Sequence, residues 1–389
     1  MTKLNIKLLA SKGTPTAVLE NGSRRIERMV SPEQYQLSEN NPDVLFFLTG
    51  GSELSAIQHV STDRFYILIG SRHDNSFAAA TEVKSYLNGI KVPSILFDEE
   101  DPQITTVLND FYFVNRALKN LKEKKLGLIG QVSNWLISSS IDSALMESKL
   151  GIRFVQIPWS SLDHFSNFKV SDHFLETFSK KNDFDLTETA KVYDLLAHTI
   201  QSQMLDAFTV ECFPMVIQDK VTACLPLAKF NNDGIPAGCE GDLTAIVGMM
   251  LCKELTGTIP WIANINKVSK DVCMFSHCTI APALVSEYSI KTHFESGEGT
   301  ALEGHFKEDL ATIFRFDQKL EKAFITSAQI TGRPKSEAAC RTQIEAKLSE
   351  SDVKCLKQNP LGNHHLIFPG DCTSQIRLAC MFLGMEVIN

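Results

Sequence analysis

Apolar residues along the N-terminal part of the chain fall in short unbroken runs. The segments "DVLFFLTGG" (43 to 51), "FYILIG" (65 to 70) and "PSILFD" (93 to 98) end in Gly or acidic residues, the pattern of strands buried on both faces of a parallel sheet. Between them "NSFAAATEVKSYLNG" spaces its apolar residues as a helix does, with an Asn-Ser start and a Gly stop. This alternation predicts a doubly wound α/β layer structure. After the charged stretch "NLKEKKLG" the pattern restarts, with "LGLIG" (126 to 130) as strand, "IDSALMESKLG" as helix and "IRFVQIP" as the next strand. A domain boundary is therefore expected near residue 124. A long helix near 186 to 206 and a strand "AFTVECF" (207 to 213) follow. Then "GIPAGCEGDLTAIVGMMLCKELTG" reads as strand, turn and helix, with Asp242 capping the free amides of the first turn. From about 266 the runs become short and β-rich ("CMFSHC", "ATIFRFD", "KAFITSAQIT"), as in an antiparallel barrel or sandwich. The expected fold class is α/β: two doubly wound α/β domains (1–124 and 125–265) followed by a C-terminal antiparallel β-barrel-like domain (266–389).

Composition narrows the function classes. A 389-residue chain with a net charge of −8 can bury several cores, and it has no basic stretch interleaved with aromatics that would track a phosphate backbone. Nucleic acid is excluded as the expected partner. No run approaches the ~20 apolar residues that cross a bilayer, and "MTKLNIKLLASKG" is too interrupted by Lys for a secretory leader. The ten cysteines form no CxxC pair, so they are expected to be reduced and buried, as in the cytoplasm.

Candidate chemistry gathers where apolar strands end, the place where ligands bind in open α/β sheets. Glu240 follows "GIPAGC" and precedes Gly241-Asp242, so its carboxylate either answers a helix dipole or offers a ligand. His277 lies inside "MFSHCTIAP", where a core imidazole and a ligand are both admissible. In "NPLGNHHLIFPGD" the adjacent His364 and His365 point to opposite faces of any strand, so one at most serves a given site. One carboxylate and two separated histidines match a mixed oxygen and nitrogen site for Mn²⁺ or a similar divalent ion. The turns "LTGGSE" and "GSRHDNS", the latter with Arg72 and Asn75, are candidate contacts for a sugar hydroxyl or phosphate, although neither is a P-loop or GxGxxG. Cys212 and Cys239 are the candidate nucleophiles, and buried strand thiols are usually inert. The run "ESGEGTALEG" reads as a solvated acidic loop.

Taken in order, "VLFFLTGGSE", "GSRHDNSFAAATEVKSYL", "KLGLIGQVSNWLISSSID", "GIPAGCEGDLTA", "SHCTIAPAL", "THFESGEGTALEG" and "GNHHLIFPGD" resemble the L-fucose isomerase and L-arabinose isomerase superfamily, especially its shorter fucose-isomerase-like members. The resemblance spans nearly the whole chain, with "CEGD", "HC" and "NHH" as its specific segments. It implies two α/β domains and a β-barrel-like C-terminal domain, and interconversion of an aldose and a ketose with Mn²⁺. It also implies a homo-oligomer, trimeric or hexameric, whose sites can borrow residues from a neighbouring N-terminal domain. By the same resemblance Glu240 is the metal-binding catalytic carboxylate, His277 a substrate or metal contact, and His365, ahead of His364, the C-terminal metal histidine. His364 is then a substrate contact.

One departure bears on activity. The resemblance places a second acid where "PWIANIN" carries Asn264, and Asn offers a carbonyl oxygen but takes no proton. Asn264 is thus the expected replacement at a catalytic and metal position, with Asp242 and Asp371 the nearest other acids. Two functions stand side by side: a metal-dependent aldose-ketose isomerase working through an enediol, and a carbohydrate-binding relative that has lost the chemistry. A redox or nucleotide enzyme lacks its fingerprints.

Overall fold

A computed structural model describes residues 3–178 and 184–389. The chain forms two compact units, Met1–Arg116 with Leu378–Gly384, and Ala117–Arg377 with Met385–Asn389.

The first unit is a five-stranded parallel sheet. It contains β1 (Leu4–Leu9), α1 (Thr16–Ile26), β2 (Tyr35–Leu37), β3 (Val44–Phe47), α2 (Glu53–Ile57), β4 (Tyr66–Gly70), α3 (Ser76–Gly89) and β5 (Ser94–Asp98), in strand order β2-β1-β3-β4-β5. The runs read as doubly buried strands are buried throughout in β3 and β4. α4 (Ile104–Leu121) follows, and the boundary between the units falls within it.

The second unit begins with another parallel sheet. Its strands are β6 (Lys125–Ile129), β7 (Arg153–Ile157), β8 (Ala207–Val210) and β9 (Ala237–Cys239), in the order β7-β6-β8-β9. The chain moves to β7 on one side of β6 and then to β8 on the other. This reversal puts the topological switch point between β6 and β8, the position at which open α/β sheets bind ligands. The helices of this part are α5 (Ser143–Leu150), α6 (Asp172–Phe178), α7 (Thr187–Gln203), α8 (Phe213–Asp219), α9 (Cys224–Asn232) and α10 (Leu243–Thr256).

The chain then forms an antiparallel barrel. Strands β10 (Trp261–Val268) and β11 (Val272–His277) are followed by a two-stranded ribbon of β12 (Val285–Lys291) and β13 (Ala301–Phe306). β14 (Leu310–Phe316), β15 (Lys322–Gly332), β16 (Thr342–Lys347), α11 (Glu350–Gln358), β17 (His364–Pro369), α12 (Thr373–Phe382) and β18 (Glu386–Val387) complete the chain. Pairing runs β14-β17-β10-β11-β16-β15 and returns to β14, so six strands close with no free edge. The fold is therefore mixed α/β with a closed C-terminal barrel, as the periodicity predicts. Apolar all round, α10 packs on β8 and β9 and on the barrel strands β14 and β17. Gly248 permits that approach, since a Cβ there would lie 2.4 Å from Leu366.

Candidate active site

The turn between β9 and α10 holds the key carboxylate in an unusual conformation. Glu240 has φ +59 and Gly241 φ +71, and the turn is closed by the Asp242 amide donating to the Cys239 carbonyl at 3.1 Å. A left-handed non-glycine residue costs about 1–3 kcal/mol, a strain typical of functional positions. The surroundings enforce it: the Ser133 amide donates to the Glu240 carbonyl at 3.0 Å, and the Gly241 amide to Val210 at 3.0 Å. Gly241 is required, because a Cβ would meet the Gln131 carbonyl at 2.3 Å. The cap of α10 is Asp242, which accepts from the Ala245 amide at 2.8 Å and the Thr244 hydroxyl at 2.6 Å.

Two histidines converge on one oxygen of Glu240. His277 Nε2, at the end of β11, and His364 Nε2, at the start of β17, each lie 3.7 Å from Glu240 Oε1. That separation is too long for a hydrogen bond. Both Nε2 atoms are buried without a hydrogen-bond partner, as is His277 Nδ1. The other oxygen, Oε2, accepts from the Trp135 indole Nε1 at 2.5 Å. A carboxylate oxygen and two imidazole nitrogens are donors of the kind that suit a divalent first-row ion such as Mn²⁺. Among the described residues, Cys239, Glu240 and His277 are the group whose ligand atoms all lie within 4.8 Å of one another; His364 reaches Glu240 Oε1 but is not part of that group. The Cys239 thiol is a poor candidate ligand. Cys212, 3.5 Å away, and burial push it well above the usual thiol range. The same protonation argues against Cys239 as a nucleophile.

Behind His364 stands a buried chain of charges. His364 Nδ1 is 2.9 Å from Asp242 Oδ2, and the Arg315 guanidinium lies 3.6 Å from that oxygen. Arg315, in β14, donates to the His364 carbonyl, to the Ser138 carbonyl at 3.1 Å and to the Ser139 hydroxyl at 2.9 Å. This is the arrangement that orients a ligating imidazole through its far nitrogen. Burial alone would lower the His364 pKa, but the Asp242 and Glu240 carboxylates outweigh it and raise it to about 9. Burial opposes ionisation of Glu240, yet His277 and His364 hold its carboxyl well below the usual range. For His277 burial dominates and its pKa falls, with Glu240 opposing.

The sequence candidates distribute unequally over this geometry. Glu240, His277 and His364 come together. His365, expected as the metal histidine, faces the other way: its ring lies against Phe275 (5.5 Å) and Phe324 (5.9 Å), and Nδ1 donates to the Asn363 carbonyl at 2.9 Å. The strand alternation that lets only one of the pair serve the site selects His364. Asn264 pairs with His364 in the β10–β17 register, and its side-chain oxygen accepts from the Asn363 amide. Among the described residues, neither His365 nor Asn264 forms a hydrogen bond or ion pair with Glu240. Arg72 and Asn75 lie in the first unit, after β4. Arg72 is exposed and 3.3 Å from Glu100, and Asn75 is left-handed (φ 57) before α3. Asp371 accepts from Thr373 and is a turn residue. Reading the sequence missed Trp135 and Arg315. An arginine inside the apolar run "ATIFRFD" was the available signal, since Arg is rarely fully buried unless paired.

Comparison with known proteins gives a partial match. The chain is 26% identical over 224 residues to the sulfoquinovose isomerases of Priestia aryabhattai and of Priestia megaterium, covering 52% of this chain and 49% of each relative. It thus spans about half the length of the curated relatives it matches. No family model matches. The similarity points to the L-fucose and L-arabinose isomerase superfamily, in agreement with the order of the motifs. Among the described residues, no helix is long and apolar enough to cross a membrane.

Proposed function

We propose that the chain is a metal-dependent aldose-ketose isomerase of the fucose and arabinose isomerase type, acting on an open-chain sugar through an enediol. The observation that carries this reading is the convergence of two unpartnered buried imidazole nitrogens on one oxygen of Glu240. Similarity to sulfoquinovose isomerases supports the substrate class and makes sulfoquinovose, with L-fucose and L-arabinose, the first sugars to test.

Glu240 Oε1, His277 Nε2 and His364 Nε2 would hold the ion, with Asn264 as a further oxygen donor within the same strand register. When bound, a divalent ion polarises a carbonyl and its neighbouring hydroxyl as a Lewis acid. Glu240 is ionised at neutral pH and takes the proton from C2, then returns it to C1. His277, neutral and buried, is suited to give Nε2 to the ion, and the hydroxyl proton then passes from O2 to O1 through solvent water. Sugar contacts from Arg72 and Asn75 would come from a neighbouring copy, in a cytoplasmic homo-oligomer, trimeric or hexameric. Incubating the protein with Mn²⁺ and the three sugars tests the proposal: a ketose or aldose product supports it, and no turnover with any of several divalent metals contradicts it.

A second reading, a carbohydrate-binding relative without the chemistry, is favoured by one observation. Asn264, where an acid was expected, spends its oxygen on Asn363. Sugar binding by calorimetry in a protein that holds no metal would favour this reading.

A further inference from the structure

Trp135 departs from what a structural tryptophan does. Its Nε1 reaches inward to Glu240 Oε2 at 2.5 Å, yet the residue is 53% exposed. The ring therefore spans from the buried carboxylate to the surface. One edge packs on Phe213, with centroids 4.7 Å apart at 77°, and Phe213 in turn packs on His293 at 5.7 Å. Two residues on, Ile137 is 84% exposed. Trp135 thus leaves aromatic surface open to water beside a buried polar site.

The segment carrying them is fastened to the site itself. The Ser133 amide bonds the Glu240 carbonyl, Arg315 bonds Ser138 and Ser139, and the Leu243 amide donates to the Ser139 carbonyl at 2.9 Å. Trp135 is thus held between anchors on Glu240, Leu243 and Arg315, and its exposure does not reflect a loose loop.

We infer that Trp135 has two tasks: its N–H holds Glu240 Oε2 so that only Oε1 faces the histidines, and its open ring face receives the C–H face of a sugar entering the site. This rests on the isomerase reading for the identity of the ligand. Trp135 is a positioning residue toward the metal and a contact residue toward the sugar. The two tasks separate chemically, because phenylalanine keeps an aromatic face and loses the N–H, while alanine loses both.

The test uses the full chain, stripped of metal, as wild type, Trp135→Phe and Trp135→Ala, with circular dichroism confirming that each is folded. Mn²⁺ alone is titrated by calorimetry. Sulfoquinovose, L-fucose and L-arabinose are then added to Mn²⁺-loaded protein while tryptophan emission is followed. Loss of an outer hydrogen bond to a ligand typically costs 10–100-fold in metal affinity. Both variants should show that loss for Mn²⁺. Wild type should change emission on adding a sugar, and Trp135→Phe, which still contains Trp159 and Trp261, should not. Trp135→Phe should keep sugar affinity within about threefold, and Trp135→Ala should lose about tenfold. Mn²⁺ affinities equal in all three proteins overturn the positioning role. Equal sugar affinities in all three overturn the contact role. Absence of Mn²⁺ binding in wild type overturns the metal-site reading and this inference with it, a result distinct from both.

Discussion

His364 Nδ1 and Asp242 Oδ2 lie 2.9 Å apart with both side chains fully buried, which sets the far side of the candidate metal histidine. Asp242 also caps α10, and the two duties can be separated. Asparagine caps a helix about as well as aspartate but carries no charge. Asp242→Asn is therefore expected to stay folded, as read by circular dichroism, and to lose 10–100-fold in Mn²⁺ affinity by calorimetry. Wild-type affinity in this variant would show that the Asp242 charge does not support the site.

Metal binding should be coupled to proton release. With its pKa raised to about 9, His364 is an imidazolium at neutral pH in the metal-free protein, and an ion needs the neutral ring. Affinity for Mn²⁺ should then rise about tenfold per pH unit from pH 7 toward pH 9 and level off above. Calorimetry at three pH values reads this slope; a flat profile would mean that His364 is not a ligand.

His365 gives the opposite signature. Burial, then the Arg315 charge, lowers its pKa to about 3, so it stays neutral in the fold while the unfolded chain takes up a proton near pH 6.5. The unfolded state binds more protons below that pH, so this residue's contribution to stability falls from pH 6.5 toward pH 3. His365→Gln should flatten the loss of urea midpoint between pH 7.5 and pH 5. The same variant should keep Mn²⁺ affinity within about threefold, whereas His364→Gln loses 10–100-fold. A matching loss in both would restore His365 as the metal histidine.

Asn264→Asp tests the missing acid. The substitution keeps an oxygen that accepts from Asn363 and adds a charge on the strand position facing His364. Mn²⁺ affinity is expected to rise about tenfold, since a unit charge in a partly buried site is worth on the order of 1 kcal/mol or more. Unchanged affinity places residue 264 beyond the reach of the ion.

Elements with strong periodicity were legible from the chain alone. β3, β4 and α10 announce themselves through unbroken apolar runs, the Asp242 cap and the Gly stop. Glu240 was legible for the same reason, because it ends a strand and begins a turn. The choice between His364 and His365 was not, since alternation says that the two diverge but not which faces the site. That depends on the β10–β17 register, with Ala263 opposite His365 and Asn264 opposite His364. Trp135 was hidden because its partner lies 105 residues away and nothing local marks it. The boundary expected near 124 follows the end of α4, whereas the compact units divide within that helix, between Arg116 and Ala117.

The central claim is enediol isomerisation at Glu240, and proton NMR in D₂O with Mn²⁺ and sulfoquinovose, L-fucose or L-arabinose tests it most directly. Wild type is predicted to convert one of these sugars while exchanging its C2 proton for deuterium, and Glu240→Gln is predicted to slow both by at least ~10²-fold. Neither conversion nor exchange in wild type with any of the three, or undiminished exchange in Glu240→Gln, would contradict it.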